Sequence, residues 1–381
     1  MDNGITILIG GDFSVAGCYV PQTPLWDDRL SSLLEAADFR MLNLEGPMTD
    51  AEERRPKIGV SLKESPEFTV YLQRNRIDMV SLANNHIFDY GEKGVEDTIK
   101  ACDEHYILHT GIVNRAQELA IPVKYVEIKG KRIGFYCLAE HEFNYHDDFS
   151  VSTVLLEPAK NILEIQQARK ECDALVVFSH IGPENTAFPS PRMLSLFRCF
   201  AEAGASAVIN AHAHHVMGME CHKNVPIFYG LGNLMFSMKS NMPGWNEGMI
   251  ACLKWNGSVF KGTPVFTVFD SEKMMVSLDD SSQRHEEFMK ISSDLRNPVA
   301  MDIHWHDFCA FQRKHIMKEC AKGAIAMLPF YIKQRILGKN HTVSPTSYFA
   351  KGARMLRGMF QCENHADVLA RIFRDLGESK F

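Results

Sequence analysis

The chain has 381 residues, 45% of them hydrophobic and 23% charged, with a formal net charge of −6. That is enough apolar material for a full core, and the charge is too mild by itself to point to nucleic acid or a membrane surface. Ten cysteines are scattered, many in apolar runs and none in a C-x-x-C pair, which argues against a disulfide framework or zinc cluster and for a reducing compartment.

At about 100–200 residues per domain, the length suggests two domains, or one with an appendage. The chain starts MDNGITILIGGD. This has no basic leader, and its apolar run is far short of the about 20 residues of a spanning helix. No such run occurs elsewhere, so the expectation is a cytoplasmic protein.

Short β-rich runs are predicted as strands at Ile5–Ile9, Phe39–Leu44, Ile77–Leu82, Ala174–Phe178, Ala207–Ile209 and Val225–Tyr229. Between them, Asp27–Ala37, Ser65–Asn75, Gly94–Glu104, Asn161–Glu171 and Arg192–Ala203 space their apolar residues as helices do. This alternation predicts a parallel-rich α/β sheet. Val123–Ile128 and Arg132–Leu138, joined through Gly130, read as a hairpin, so the sheet is expected to be mixed. Met249–Trp255, Val265–Phe269 and Met274–Val276 read as closing edge strands. After about Asp280 helical periods dominate, which sets a boundary between 1–280 and 281–381. Between Arg313 and Arg357 there are ten Lys or Arg and one acid, Glu319, giving that segment +9 against −15 for the rest. Within it the apolar stretch Ala321–Gly338 contains Pro329, which is expected to break it.

The strand ends carry the chemistry, because ligands bind at the carboxyl edge of such sheets. In order they read Gly10-Gly11-Asp12, Asn43-Leu44-Glu45-Gly46, Ala83-Asn84-Asn85-His86, Ser179-His180-Ile181-Gly182 and Asn210-Ala211-His212-Ala213-His214-His215. Each offers a carboxylate, an amide oxygen or an imidazole, a mixture suited to divalent metals. His212 and His214, two apart, would point the same way in an extended segment. Each feature also has a plain alternative. Asp12 alone could cap a helix, Glu45 could be a solvated turn acid, Asn84 and Asn85 could be turn residues, and His180 could be a hydrogen-bonded core histidine. It is their joint occurrence at five strand ends that favours a metal site.

The segments Gly11-Asp12, Asn43-Leu44-Glu45, SLANNHIFDYG (Ser81–Gly91) with Thr98, His180-Ile181-Gly182 with Glu184, GASAVINAHAHHV (Gly204–Val216) and YGLGNLMF (Tyr229–Phe236) resemble the bacterial capsule-synthesis CapA family of poly-γ-glutamate synthesis proteins. Through it they resemble the calcineurin-like metallophosphoesterases. The resemblance covers about residues 5–240. It implies a four-layer α/β/β/α sandwich with a mainly helical C-terminal extension, and one or two divalent ions (Mn, Fe or Zn). It implies Asp12 on the first metal, Glu45 bridging, Asn85, His180 and His212 on the second, and His214 returning to the first. His86, beside Asn85, would contact a phosphoryl oxygen or protonate the leaving group. Ser14, Asn84, Glu184 and Asn233 are expected near ligands or substrate, with Glu184 as acceptor for a ligand histidine; Asp89 and Tyr90 are expected to cap and pack the following helix.

The sequence departs from the wider pattern in four places. Ser14 stands where the superfamily has the histidine of Asp-x-His, Asn43-Leu44-Glu45 replaces Gly-Asp, Ile181 replaces a tryptophan, and Asn210-Ala211 replaces Gly-His. These departures leave the first metal position with fewer strong ligands. The implied function is hydrolysis of a phosphoester or related bond in capsule, exopolysaccharide or poly-γ-glutamate metabolism, on a phosphorylated or anionic-polymer substrate. A non-catalytic accessory role in polymer synthesis and a metal-dependent γ-glutamyl amide hydrolase are the alternatives. The basic C-terminal segment reads as a solvated helical cap, or as a surface for peripheral membrane contact or a polyanion; no nucleic-acid partner is expected.

Overall fold

A computed structural model describes residues 4–16, 24–57, 59–117, 120–144, 149–337, 352–357, 359 and 362–378, with side chains omitted for 323–337 and 376–378. Two mixed sheets stack face to face. In the first, β1 (Ile5–Ser14), β2 (Phe39–Leu44), β3 (Met79–Ser81) and β4 (Leu108–Thr110) run parallel. On the other side of β1, β14 (Glu247–Trp255), β15 (Phe260–Asp270) and β16 (Met275–Leu278) follow antiparallel. In the second sheet β7 (Lys131–Ala139), β9 (Ala174–His180), β10 (Ala207–Ala211) and β12 (Val225–Phe228) are parallel. Antiparallel edges close it: β6 (Val123–Ile128), in the expected hairpin with β7, and β11 (Met219–His222). A two-stranded ribbon joins β5 (Ile112–Asn114) to β8 (Val151–Thr153).

The period of two along each strand sorts the core into layers. Ile5, Ile7, Ile9, Met41 and Met79 meet Phe135, Val176, Phe178, Ile209 and Phe228 between the sheets. Their neighbours Leu8, Leu42 and Val80 face outward onto α1 (Asp28–Ala36), α2 (Thr69–Arg74) and α3 (Gly91–Glu104), through Leu30, Leu34, Leu72, Val95 and Cys102. On the far side Tyr136, Leu175, Val177 and Val208 pack on α4 (Pro158–Ala168) and α5 (Pro191–Ala203), through Ile165, Phe197 and Phe200. The result is the four-layer α/β/β/α sandwich. Helix starts follow their sequence signals: Asp27 and Ser190 accept hydrogen bonds from Leu30 N and Met193 N, and prolines open α4 and α5.

Three expectations need correcting. The first strand does not stop at Ile9 but runs on to Ser14, so Asp12 lies inside it. It continues because β13 (Asn233–Phe236), a strand too short to show a pattern, pairs alongside it with Asp12 opposite Asn233. The approach is close. A side chain on Gly11 would meet the Gly232 carbonyl at 2.1 Å, and one on Gly248 the Asn233 carbonyl at 2.4 Å. Second, Cys199 and Cys221 are exposed rather than buried, while Cys18 lies outside the described residues. Third, Pro329 does not break the helix. After α6 (Ser282–Asp294), α7 runs from Pro298 to Leu337. A proline removes one hydrogen bond and kinks a helix, but a long, already nucleated helix can carry that cost.

A short helical stretch, 352–357, precedes the last helix, α8 (Glu363–Glu378). α7 and α8 pack through Trp305, Cys309, Ile316, Val368, Leu369 and Ile372. Of the basic segment, Arg313, Lys314, Lys318, Lys322, Arg354 and Arg357 have exposed side chains. Those of Lys333, Arg335, Lys339 and Lys351 lie outside the described residues. Among the described residues no helix is long and apolar enough to cross a membrane.

Candidate metal centre

The parallel strands of both sheets end at one edge, where the two sheets face each other. The first sheet brings Asp12 on β1, Glu45 just past β2, and Asn84, Asn85 and His86 past β3. The second brings His180 as the last residue of β9, and His212 and His214 just past β10. Asp12, Glu45, Asn85, His180, His212 and His214 are all buried. One ligand atom each from Asp12, Glu45 and His180 falls within a 4.8 Å cluster.

Hydrogen bonds fix this arrangement. Asn43 Nδ2 donates to Asp12 Oδ1 at 2.8 Å, and the His212 amide donates to Asp12 Oδ2 at 3.0 Å. His180 Nε2 lies 3.0 Å from both Asn85 Oδ1 and His212 Nδ1. His214 Nδ1 is 2.9 Å from Asn233 Oδ1, and its Nε2 is 3.6 Å from Glu45 Oε1. The His214 ring packs on Phe236 and Trp245. His212 and His214 share the site, but not as an extended strand would place them. Both have positive φ, +79° and +52°, a costly conformation for a residue with a side chain. The backbone therefore turns at each, sending His212 toward His180 and His214 toward Glu45.

Several neighbours differ from expectation. Glu184 stands 3.9 Å from His212 Nε2, too far for a hydrogen bond; Glu140, at 3.3 Å, is the nearer carboxylate. Asp89 accepts from the Leu62 amide and holds His86 Nδ1 at 2.7 Å, rather than capping α3, which has no side-chain cap hydrogen bond. It also pairs with the buried Lys57. Asn84 braces the loop, donating to the Leu44 carbonyl and accepting from the His86 amide. Ser14 donates to Glu64 Oε1 at 2.6 Å, so Glu64 fills the space beside the missing histidine.

Sequence reasoning missed Glu64, Lys57, Glu140 and Glu142. Glu64 and Lys57 lie in irregular chain with no period to mark them. Glu140 and Glu142 had a signal: they follow β7, which runs parallel to β9 and so ends at the same edge.

The electrostatics are those of charges taken out of water. Burial, with Asp12 beside it, pushes the Glu45 carboxyl well above its usual range, and burial likewise raises Asp12. Burial and the neighbouring His212 and His214 push His180 well down. Burial also opposes charge on His212, but Glu140, Glu184 and Glu142 outweigh it and push the imidazole up to about 10. Burial, then Glu184 and Glu140, push Glu142 up to about 8.

Both oxygens of Glu45 are buried without a hydrogen-bond partner. Orphaned carboxylate oxygens at this depth are costly unless a proton or a cation takes them up. With amide and imidazole donors around them, the residues fit one or two divalent metals.

A cavity of about 610 Å³ opens beside the centre, with Asn85, His86, His214, Phe236, Trp245, Met355 and Met359 in its walls.

The family model described as bacterial capsule synthesis protein PGA_cap matches residues 7–238. The chain is 26% identical over 243 residues to the PGA biosynthesis protein CapA of Bacillus subtilis (strain 168), covering 61% of this chain and 62% of that one. It is 25% identical over 234 residues to the capsule biosynthesis protein CapA of Bacillus anthracis, covering 57% and 54%. It thus spans less than two thirds of the length of these curated relatives. Among solved structures, the 5'-nucleotidase precursor of Thermus thermophilus aligns at a TM-score of 0.43 with 13% identity, covering 76% of this chain and 58% of that one.

Proposed function

Since the chain belongs to the bacterial capsule synthesis protein PGA_cap family, we propose that it is a metal-dependent hydrolase of the phosphoesterase type, acting on a phosphoester or related bond in capsule or poly-γ-glutamate metabolism. The observation that carries the reading is Glu45. Its two oxygens are buried and unpartnered, and Oε1 lies 3.6 Å from His214 Nε2 of the opposite sheet and 3.9 Å from His86 Nε2 of its own.

Asp12, Glu45, Asn85, His180, His212 and His214 would hold the metal. When bound, one or two divalent ions supply Lewis-acid polarisation and a strong nucleophile at neutral pH. The chain's own groups do the rest. Asp89 engages His86 Nδ1, which leaves Nε2 toward the centre, 3.9 Å from Glu45. Burial and the Lys57 ammonium hold His86 below the usual imidazole range, which favours the neutral ring. An anionic group entering opposite would favour uptake of a proton from solvent onto Nε2, and that same proton can then pass to a leaving oxygen, returning the ring to neutral. Phe236 and Trp245 press on His214 and keep water from that side of the centre.

The test is metal content together with hydrolysis of a phosphomonoester, a phosphodiester and a γ-glutamyl peptide in added Mn²⁺. Metal binding with turnover of either phosphoester, both lost in His212→Ala, supports the reading. A protein that binds no metal even when loaded overturns it. Turnover of the peptide alone favours an amide hydrolase. The second reading, a non-catalytic accessory role, is favoured by the Ser14–Glu64 hydrogen bond in the Asp-x-His position; metal binding without turnover of any of the three substrates would select it.

A further inference from the structure

The loop leaving β7 reaches past the sheet-edge centre to a segment beyond the family match. Glu142 follows β7, while Cys362 and His365 lie at the start of α8. One ligand atom from each falls within a 4.8 Å cluster. Cys362 is buried, its Sγ 3.6 Å from Glu140 Oε1.

The three groups line a cavity of about 190 Å³ that Glu140, Glu184 and His212 also line. Its walls thus bring together three carboxylates, and the Asn364 side-chain oxygen, also in the wall, is buried with no hydrogen-bond partner. The three carboxyl groups outnumber the one imidazole held charged, His212, and with an orphan oxygen beside them in one small space they call for a cation. The position is also held from outside. The His141 amide donates to Glu363 Oε2 at 3.1 Å, and Arg192 Nε donates to Asp367 Oδ2 at 2.6 Å. These bonds fix the first turns of α8 against the second sheet before any ion arrives.

We propose that Glu142, Cys362 and His365 form a second cation site beside the sheet-edge centre, joined to it by the Asn85–Glu142 hydrogen bond and the His212 ring in its wall, and that it takes a zinc-type dication. Burial, Glu140 and Glu142 favour the neutral Cys362 thiol until an ion displaces its proton; the set would then be one thiolate, one imidazole and one carboxylate, which is borderline-soft. Three protein ligands with open space beside them match a zinc site that leaves a coordination position free. The ion would tie the C-terminal helices to the sheet edge, making the extension part of the site.

The test uses the full chain, stripped of metal and titrated with Co²⁺. Wild type develops the near-ultraviolet thiolate-to-cobalt charge-transfer absorption, and Cys362→Ser abolishes it and lowers zinc content by one ion per chain. His365→Gln weakens Co²⁺ binding by about tenfold or more, since losing a ligand exceeds the cost of losing a ligand's support. Asp12→Asn leaves the band in place, which separates this site from the sheet-edge centre whichever way that reading falls. No band in wild type, or a band that survives Cys362→Ser, overturns the proposal. If Cys362→Ser does not fold, the wild-type band and its weakening in His365→Gln decide.

Discussion

The two sheets bring different chemistry to the same edge. The first contributes oxygen, from Asp12, Glu45 and Asn85, and the second contributes the three imidazoles of His180, His212 and His214. Neither set alone is a good site for a borderline dication, and the apolar layer between the sheets holds them together along with cross-sheet contacts such as His212 N–H to Asp12 and His180 to Asn85. The centre therefore depends on tertiary packing rather than on any local motif. The carboxylates of the first sheet are unsettled by burial, and one imidazole of the second is held charged, both conditions that a bound dication would relieve.

The sharpest way to break this comparison is to remove one ligand from each side. Asp12→Ala and His180→Ala are both expected to bring metal content to background and to lower metal-dependent turnover on the order of 10³-fold. If either sheet alone retains full metal, measured by elemental analysis, the two contributions are not interdependent.

Next in size is Glu64, which borders the first-sheet half of the centre. Burial raises its carboxyl from 4.5 to about 8. The folded state thus holds a proton that the unfolded chain releases, so its stabilising contribution is complete below pH 4.5 and disappears as pH rises through about 8. Glu64→Gln is expected to flatten the stability curve over that window and to exceed wild type at pH 9 by on the order of 3 kcal/mol. Urea melts across pH would show it; parallel wild-type and variant curves would count against it.

Metal itself should stabilise by about 2.7 kcal/mol at a hundredfold excess over Kd, so chelation should lower Tm in wild type and leave His180→Ala unmoved. The smallest effect is that of Ser14→Ala, about 1 kcal/mol at pH 8. It removes the hydroxyl donor to Glu64 and should move the Glu64 transition further up, because that hydrogen bond favours the charged carboxylate.

Much of the centre was legible because strand periodicity marks where each strand stops, and the stops carried Glu45, Asn85, His86, His180 and His212. Asp12 lies at the same edge, inside a strand whose apolar run ends early. Its extension depends on a four-residue partner, Asn233–Phe236, whose burial on both faces leaves no alternation to read. His212 and His214 share the edge on a turned backbone and not an extended one, and that turn has no signature in the residues themselves. Glu64 and Lys57 are set by irregular chain folding back over the edge. Arg313, Lys314, Lys318 and Lys322 read as a basic run, and they are exposed on a helix whose buried contacts, such as Ile316, face α8.

The crossing of β13 between its neighbours gives remote positions control of the centre. Gly248 lies on β14, well away in sequence from every proposed ligand of the centre, yet a methyl group there would press on the Asn233 carbonyl. Asn233 orients His214 through its side chain and donates to the Trp245 carbonyl, so a displacement begun at Gly248 would be passed along one residue into the imidazole. Substitutions at such a glycine would present as functional lesions in a chain that is otherwise folded, and a screen for lost activity would recover them next to the ligands themselves.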